Sequence, residues 1–443
     1  MNFQRILTLD ESAFCLSTNG SPEPACPAGA RWRDAPFDAE TRRFFGAHRH
    51  DLLTRRASYP LYDLPQLYEA FGACFPDWRM VAEGGGPDAR PGALWTPETT
   101  AMLVAPGRRP DFALEATRFY ALPGGGRRVM AVEDWHDGRD TGSFRVRLVG
   151  PRAEAKALAG EFAALAERMK RPHYLQGQVL KADGEILESF ERRGWEEVVL
   201  EPAIRAAIEQ NTFEILRRRE AFRRHGVPLK RGIILFGPPG TGKTQVAKVL
   251  AGQNLATFLY VTAADMSGVE SARAVFELAR KLSPTILFFE DIDLFADDRS
   301  SYCSKTILGE ILAQLDGLES NDGLIFIATT NDLEAIDPAI RERPSRFDVV
   351  LHLGLPSHDA RRRILCQNLP SVSVGATLLD EAATATDGLT GAQLREVAYL
   401  AMQGAILRDA CDVEGPMVLG RDDLIGAVQQ VTGNRGKAIG FGA

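Results

Sequence analysis

The chain has 443 residues, 45% of them hydrophobic and 25% charged, with a formal net charge of −7 and a pI of about 5.7. That length exceeds one ordinary hydrophobic core, so two or three domains are expected, and the composition argues against wholesale disorder. The acidic balance disfavours nucleic acid as the main partner. Six scattered cysteines (Cys15, Cys26, Cys74, Cys303, Cys366, Cys411), with no Cys-x-x-Cys pair and no His at metal spacing, read as reduced thiols. The start, "MNFQRILTLDESAF", lacks the apolar stretch of a signal peptide, and no apolar run approaches the ~20 residues of a membrane helix. A soluble, cytoplasmic protein is the expectation.

Residues 20–37 are rich in turn formers and read as an extended loop, with further breaks at 84–92 and 122–126. Between and after these lie candidate strands at 127–135 and 143–150. A helix follows at 152–170, "RAEAKALAGEFAALAERMK", with apolar residues at three-to-four spacing; its default role is to cover its own domain's sheet. "HRH" at 48–50 reads as a surface pair. All five tryptophans fall within the first 195 residues, and the pattern changes there. Solid apolar runs at 232–236, 257–263, 285–289, 324–330 and 349–355 alternate with helical stretches. Runs apolar on both faces, spaced by helices, predict a parallel sheet covered on both sides. After Pro356 the sequence turns helical and Ala-rich to about 410, and a last helix is expected near 421–431.

The first apolar run leads into Gly237-Pro238-Pro239-Gly240-Thr241-Gly242-Lys243-Thr244, followed by Gln245 and a helix. This is the G-x-x-x-x-G-K-[ST] pattern in its strand–loop–helix setting. Its glycines allow backbone N–H groups to turn inward around phosphates. Lys243 supplies a point charge, and Thr244 offers a hydroxyl to Mg²⁺.

The third run, "PTILFFEDID", ends in acids. A carboxylate there holds the metal's water shell and a second orients the attacking water. By position Glu290 takes the metal role and Asp291 the water role. The order is inverted relative to most such strands, and Asp is about 1.5 Å shorter in reach than Glu. The competing reading is that both acids only cap the following helix. Asp293 is a spectator or a substitute base. Asn331 ends the fourth strand, where a polar side chain can reach a γ-phosphate or the attacking water. Arg341, Arg343 and Arg346 follow in "DPAIRERPSRFD"; phosphoryl transfer gains roughly 10³–10⁵ from an arginine on the developing charge.

Taken together, "GPPGTGKT", "PTILFFEDID", "LAQLDGLESNDGLIFIATTND", "IDPAIRERPSRFD" and "LTGAQLREVA" resemble the AAA ATPases of the AAA+ superfamily over roughly 195–410. The resemblance implies an α/β fold: a P-loop nucleotide domain with a five-stranded parallel sheet (195–356) and a small helical lid with a tail (357–443). The residues before them (1–194), which the resemblance does not reach, read as an α+β N-terminal client or partner domain. The resemblance also implies ATP and Mg²⁺ as cofactors, and a homo-oligomeric ring, usually a hexamer. Arg343 and Arg346 match arginines that reach the neighbour's γ-phosphate. Gly391 and Ala392 match the lid segment beside adenine, and Val199 and Leu200 would lie on the base's other side.

Three departures stand out. The acid pair is inverted, the arginine loop holds one extra residue, and "AADMSGVESAR" replaces the aromatic step of ring-threading relatives. Met266 is the nearest apolar substitute there. The Glu-Asp order resembles the branch that includes the mitochondrial inner-membrane AAA translocase, in which inverted acids accompany a working ATPase.

The expected function is therefore an ATP-hydrolysing ring ATPase that remodels or disassembles a protein client. The alternative is a slow-turnover, nucleotide-gated scaffold or assembly factor; a small-molecule kinase fits least. The basic stretch 215–232 reads as a solvated helix face rather than a nucleic-acid contact.

Overall fold

A computed structural model describes residues 41, 44–46, 51–84, 98–135, 142–170, 173–295, 302–316, 321–334, 347–369, 372–408 and 417–433. The chain divides into two compact units, 1–176 with 183–186, and 177–182 with 187–443.

The first unit is built on antiparallel strands β1 (Leu52–Pro60), β2 (Arg79–Gly84), β3 (Glu98–Ala101), β4 (Asp111–Ala121), β5 (Arg127–Trp135) and β6 (Ser143–Pro151). They pair in the order β1-β6-β5-β4-β2, with β3 also on β4. Alternation along β5 and β6 sends Met130, Val132, Phe144, Val146 and Leu148 to one face. There α1 (Leu64–Cys74) and α2 (Ala155–Arg168) cover them with Leu64, Leu67, Phe71, Leu158 and Leu165. The predicted helix thus covers its own sheet. On the other face Phe119, Val129 and Val149 pack with Phe44 and Phe45.

One charge sits inside this packing. Arg128 is 1% exposed and meets Glu161 through two nitrogens, at 2.6 and 2.9 Å, and Glu154 through a third at 2.6 Å. The paired fork satisfies a guanidinium that burial alone would penalise. Gly150 leaves room for it, since a Cβ there would stand 3.2 Å from the Arg128 chain.

The second unit carries a six-stranded parallel sheet of β7 (Val179–Leu180), β8 (Arg231–Phe236), β9 (Thr257–Val261), β10 (Thr285–Phe289), β11 (Leu324–Thr330) and β12 (Val349–His352), in the order β12-β8-β11-β10-β9-β7. Five of these are the predicted apolar runs, and β10 and β11 are buried throughout. The sixth corrects the five-stranded expectation. Two residues carry no readable periodicity, yet β7 pairs with Phe258 and Leu259 and occupies the backbone edge of β9. Residues 177–182 and 187–194, placed before the domain boundary at 194 in the sequence reading, lie within this second unit.

Helices α3 (Pro202–Asn211), α4 (Phe213–Arg217), α5 (Arg219–Arg224), α6 (Lys243–Gly252), α7 (Val269–Lys281) and α8 (Tyr302–Asp316) accompany the sheet. The basic stretch resolves into α4, α5 and the lead into β8. Among its charges, Arg217 and Arg218 pair with Glu214 nearby in sequence, and Arg223 pairs with Glu220 and with the distant Asp322. Met266 is 7% exposed and belongs to the core, so it offers no apolar grip to a passing chain.

Four further helices, α9 (His358–Gln367), α10 (Ala376–Ala385), α11 (Gly391–Arg408) and α12 (Arg421–Gly433), enclose a separate cluster around Leu365, Leu394, Val397, Ala401 and Leu424. This is the predicted helical lid. Among the described residues no helix is long and apolar enough to cross a membrane.

Replacing Arg128 by alanine strands the Glu161 carboxylate against an apolar sheet. We expect Arg128→Ala to cost roughly 3 kcal/mol, read as a lower urea midpoint by circular dichroism. Glu154→Gln, at a carboxylate 42% exposed, should change stability by less than about 1 kcal/mol.

Candidate active site

Between the carboxyl ends of β8, β10 and β11 and the amino end of α11 lies a cleft of about 450 Å³. Its floor is the glycine loop joining β8 to α6. Gly237 has φ +153°, and a Cβ there would stand 2.1 Å from the Leu353 carbonyl oxygen, so no other residue fits the close approach of β12's exit. Gly240 has φ +81°, and its Cβ would meet Ala392 and Thr390 at 2.9 Å. The lid therefore touches the loop directly, and Ala392 N–H donates to Gly240 O at 3.1 Å.

Lys243 begins α6 and is buried. Its ammonium donates to Gly237 O at 2.7 Å, to Pro238 O at 3.1 Å and to Asn331 Oδ1 at 2.9 Å. All three N–H groups are thus used. Burial pulls the ammonium pKa down, opposed by Asp291, Asp293 and Glu290.

The inverted acids separate at a turn of the backbone. Glu290 N–H still pairs with Val261 O at 2.9 Å, as if β10 continued. Asp291 then adopts φ +48°, a left-handed conformation that Asp tolerates better than most residues. Its N–H is held by the Thr329 hydroxyl at 2.9 Å. The two carboxylates consequently meet different partners. Glu290 Oε1 accepts from the Thr244 hydroxyl at 2.5 Å, and Asp291 Oδ1 accepts from Asn331 Nδ2 at 3.3 Å. Burial raises the Asp291 pKa, as does Asp293, while Lys243 and Asn331 lower it less. Asp293 keeps one buried carboxylate oxygen without a hydrogen-bond partner.

Pro239, Gly240, Thr241, Gly242, Lys243, Thr244, Gln245, Glu290, Asp291, Asn331, Val199, Gly391 and Ala392 all line this one cleft. Gly237 and Pro238 contribute carbonyls beneath it. Leu200 lines an adjoining hollow of about 250 Å³ that shares Val199, Thr241, Ile364 and Gly391. Arg341, Arg343 and Arg346 lie outside the described residues. The cleft also includes residues absent from the sequence reading: Arg193, Glu197, Ile364, Gln367, Asn368, Arg395 and Tyr399. Arg395 and Tyr399 were legible in principle, because they follow Ala392 by three and seven residues on one helical face. Gln367 was not. It pins the 194–200 loop by donating to Glu196 O at 2.7 Å, a contact across 171 residues.

A thermodynamic consequence follows from Gly240. Gly240→Ala adds a strained positive φ and a clash with the lid, so it should destabilise the fold by about 1–3 kcal/mol, read as a lower urea midpoint by circular dichroism.

Residues 233–355 match the family described as ATPase family associated with various cellular activities (AAA). The chain is 36% identical to a proteasome-activating nucleotidase of Aeropyrum pernix over 246 residues, which is 52% of this chain and 58% of that protein. It is 33% identical to an ATP-dependent zinc metalloprotease YME1 homolog of Schistosoma mansoni, over 45% of this chain and 32% of that one. It is 34% identical to a cell division cycle protein 48 homolog of Archaeoglobus fulgidus, over 44% of this chain and 28% of that one. The chain thus spans between about a quarter and three fifths of these relatives, and the family match covers the glycine loop, both acids and Asn331. On that match and on its P-loop fold, the chain carries a domain of the AAA ATPase family.

Proposed function

We propose that this protein binds ATP in the cleft and hydrolyses it to ADP and phosphate. The observation that carries the reading is the single hydrogen-bonded network of Lys243, Asn331 and Asp291 beside the Thr244–Glu290 pair, at the mouth of the glycine loop. The names of the relatives, a proteasome-activating nucleotidase and an ATP-dependent zinc metalloprotease among them, agree with it.

Backbone N–H groups of the loop and the amino end of α6 receive the β and γ phosphates. Lys243 exchanges an acceptor within the protein for a phosphate oxygen. A hydroxyl and a carboxylate held 2.5 Å apart suit a hard divalent cation, so Thr244 and Glu290 are the residues that would hold Mg²⁺. That ion would neutralise charge on the phosphates. Asp291 orients a water and accepts its proton as the water oxygen bonds to the γ-phosphorus and the bond to ADP breaks. Asn331 holds the water or the γ-phosphate in line. Val199 and Leu200 flank the base opposite Gly391 and Ala392.

Arg343 and Arg346, supplied by a neighbouring copy, act on the developing charge, which makes a homo-oligomeric ring, a hexamer in this reading, the working form. The domain of residues 1–194 selects a protein client, and turnover in 195–356 moves the lid of 357–443 to remodel it. With Met266 buried and no aromatic step beside it, remodelling here does not depend on an apolar paddle at that position.

ATPase assays test this reading. Turnover should require Mg²⁺, and its rate per subunit should rise with protein concentration as the ring assembles. Glu290→Gln and Asp291→Asn should each lower kcat on the order of 10²-fold. Equal slow turnover in the parent and both variants would instead identify a nucleotide-gated scaffold. A rate per subunit that stays flat from monomer to ring would rule out the shared site.

A further inference from the structure

The glycine loop fixes one end of the cleft as the phosphate end. The other end is closed by Glu197 and Val199, by Asn368 at the end of α9, and by two side chains of α11, Arg395 and Tyr399. Both project from the face of α11 that carries Ala392, the residue seated on Gly240. Along the helix axis Arg395 lies about 4.5 Å beyond Ala392, and Tyr399 about 10 Å beyond it. Long side chains on a helix lean toward its amino end, which here is the end at the glycine loop.

Neither residue is needed to close the lid's own core. Leu394, Val397, Ala398 and Ala401 fill that side of α11 and are fully buried. Tyr399 is 52% exposed, an unusual state for a large aromatic side chain, and Arg395 is exposed. Among the described residues neither makes a hydrogen bond, ion pair or ring contact. The other cations of the cleft are occupied: Lys243 by three acceptors, and Arg193 by Glu191.

We propose that Arg395 and Tyr399 form a clasp for the nucleoside end of the nucleotide and set its affinity there, an inference that rests on the nucleotide-binding reading above. The Tyr399 ring offers a flat apolar face to the base or ribose. The Arg395 guanidinium stacks on π systems and donates to hydroxyl or ring acceptors. Because both belong to the lid, closing the clasp draws α11 down over the nucleoside while Ala392 stays on the loop. Lid position then responds to the nucleoside as well as to the glycine loop on which Ala392 rests.

The test is isothermal titration of the full-length protein with ADP and, separately, with inorganic pyrophosphate as a competitor. Tyr399→Ala and Arg395→Ala should each weaken ADP about tenfold, the loss expected for removing one stacking partner. Tyr399→Phe should stay within about twofold of the parent because it keeps the ring. Pyrophosphate competition should be unchanged in all variants. If Arg395→Ala weakens pyrophosphate as much as ADP, that arginine serves the phosphates and the clasp is wrong. If the parent binds ADP and all variants bind it equally, the clasp is wrong while the nucleotide site stands. If the parent itself binds no ADP, the nucleotide reading falls and the clasp with it.

Discussion

A buried ammonium governs the arrangement of the cleft. Lys243 starts a helix, where the macrodipole disfavours a cation, and sits within a fold that strips most of its water. It is stable there only because two loop carbonyls and Asn331 take its three protons and three carboxylates stand nearby. Those same partners make it responsive. A phosphate oxygen is a stronger acceptor than a neutral carbonyl, so an arriving polyphosphate can displace one without leaving any donor unpaired. Moving the ammonium away from Asn331 also changes what Asn331 offers to Asp291.

The acids after β10 follow from the same constraint. Two adjacent carboxylates at a strand's end would point to opposite faces if the strand simply continued. The left-handed residue at Asp291 breaks that alternation and divides the pair between α6 and the end of β11. Such a conformation costs about 1–3 kcal/mol in general, and less for Asp. It is offset by the hydrogen bond from its N–H to Thr329. The kink gives the shorter Asp and the longer Glu separate anchors, so side-chain length alone does not decide what each reaches.

The lid adds a mechanical link. Its α11 begins in contact with Gly240, and its α9 reaches back to the 194–200 loop through Gln367. Both ends of the cleft are thus held by one helical cluster with its own apolar core. Displacing that cluster moves the glycine loop and the loop beside Val199 together. The antiparallel unit is stabilised separately, by apolar layers on both faces of its sheet and by the buried Arg128 fork.

The sequence by itself determined the parallel sheet, the glycine loop, the acids and Asn331, because each is local. Solid apolar runs report burial on both faces, and the P-loop pattern encodes its own turn. It also gave the helical lid and the α2 helix from apolar spacing. What it did not contain was β7, too short for any period, or the burial of Met266, set by the elements packed around it. Nor did it contain the left-handed turn at Asp291, which depends on Thr329 of a different strand. The meeting of Gln367 and Asn368 with the 194–200 loop at the far end of the cleft was equally hidden, since about 170 residues of chain fold between them. Local patterns fix what a segment becomes, whereas only packing between distant segments decides which side chains share one small volume.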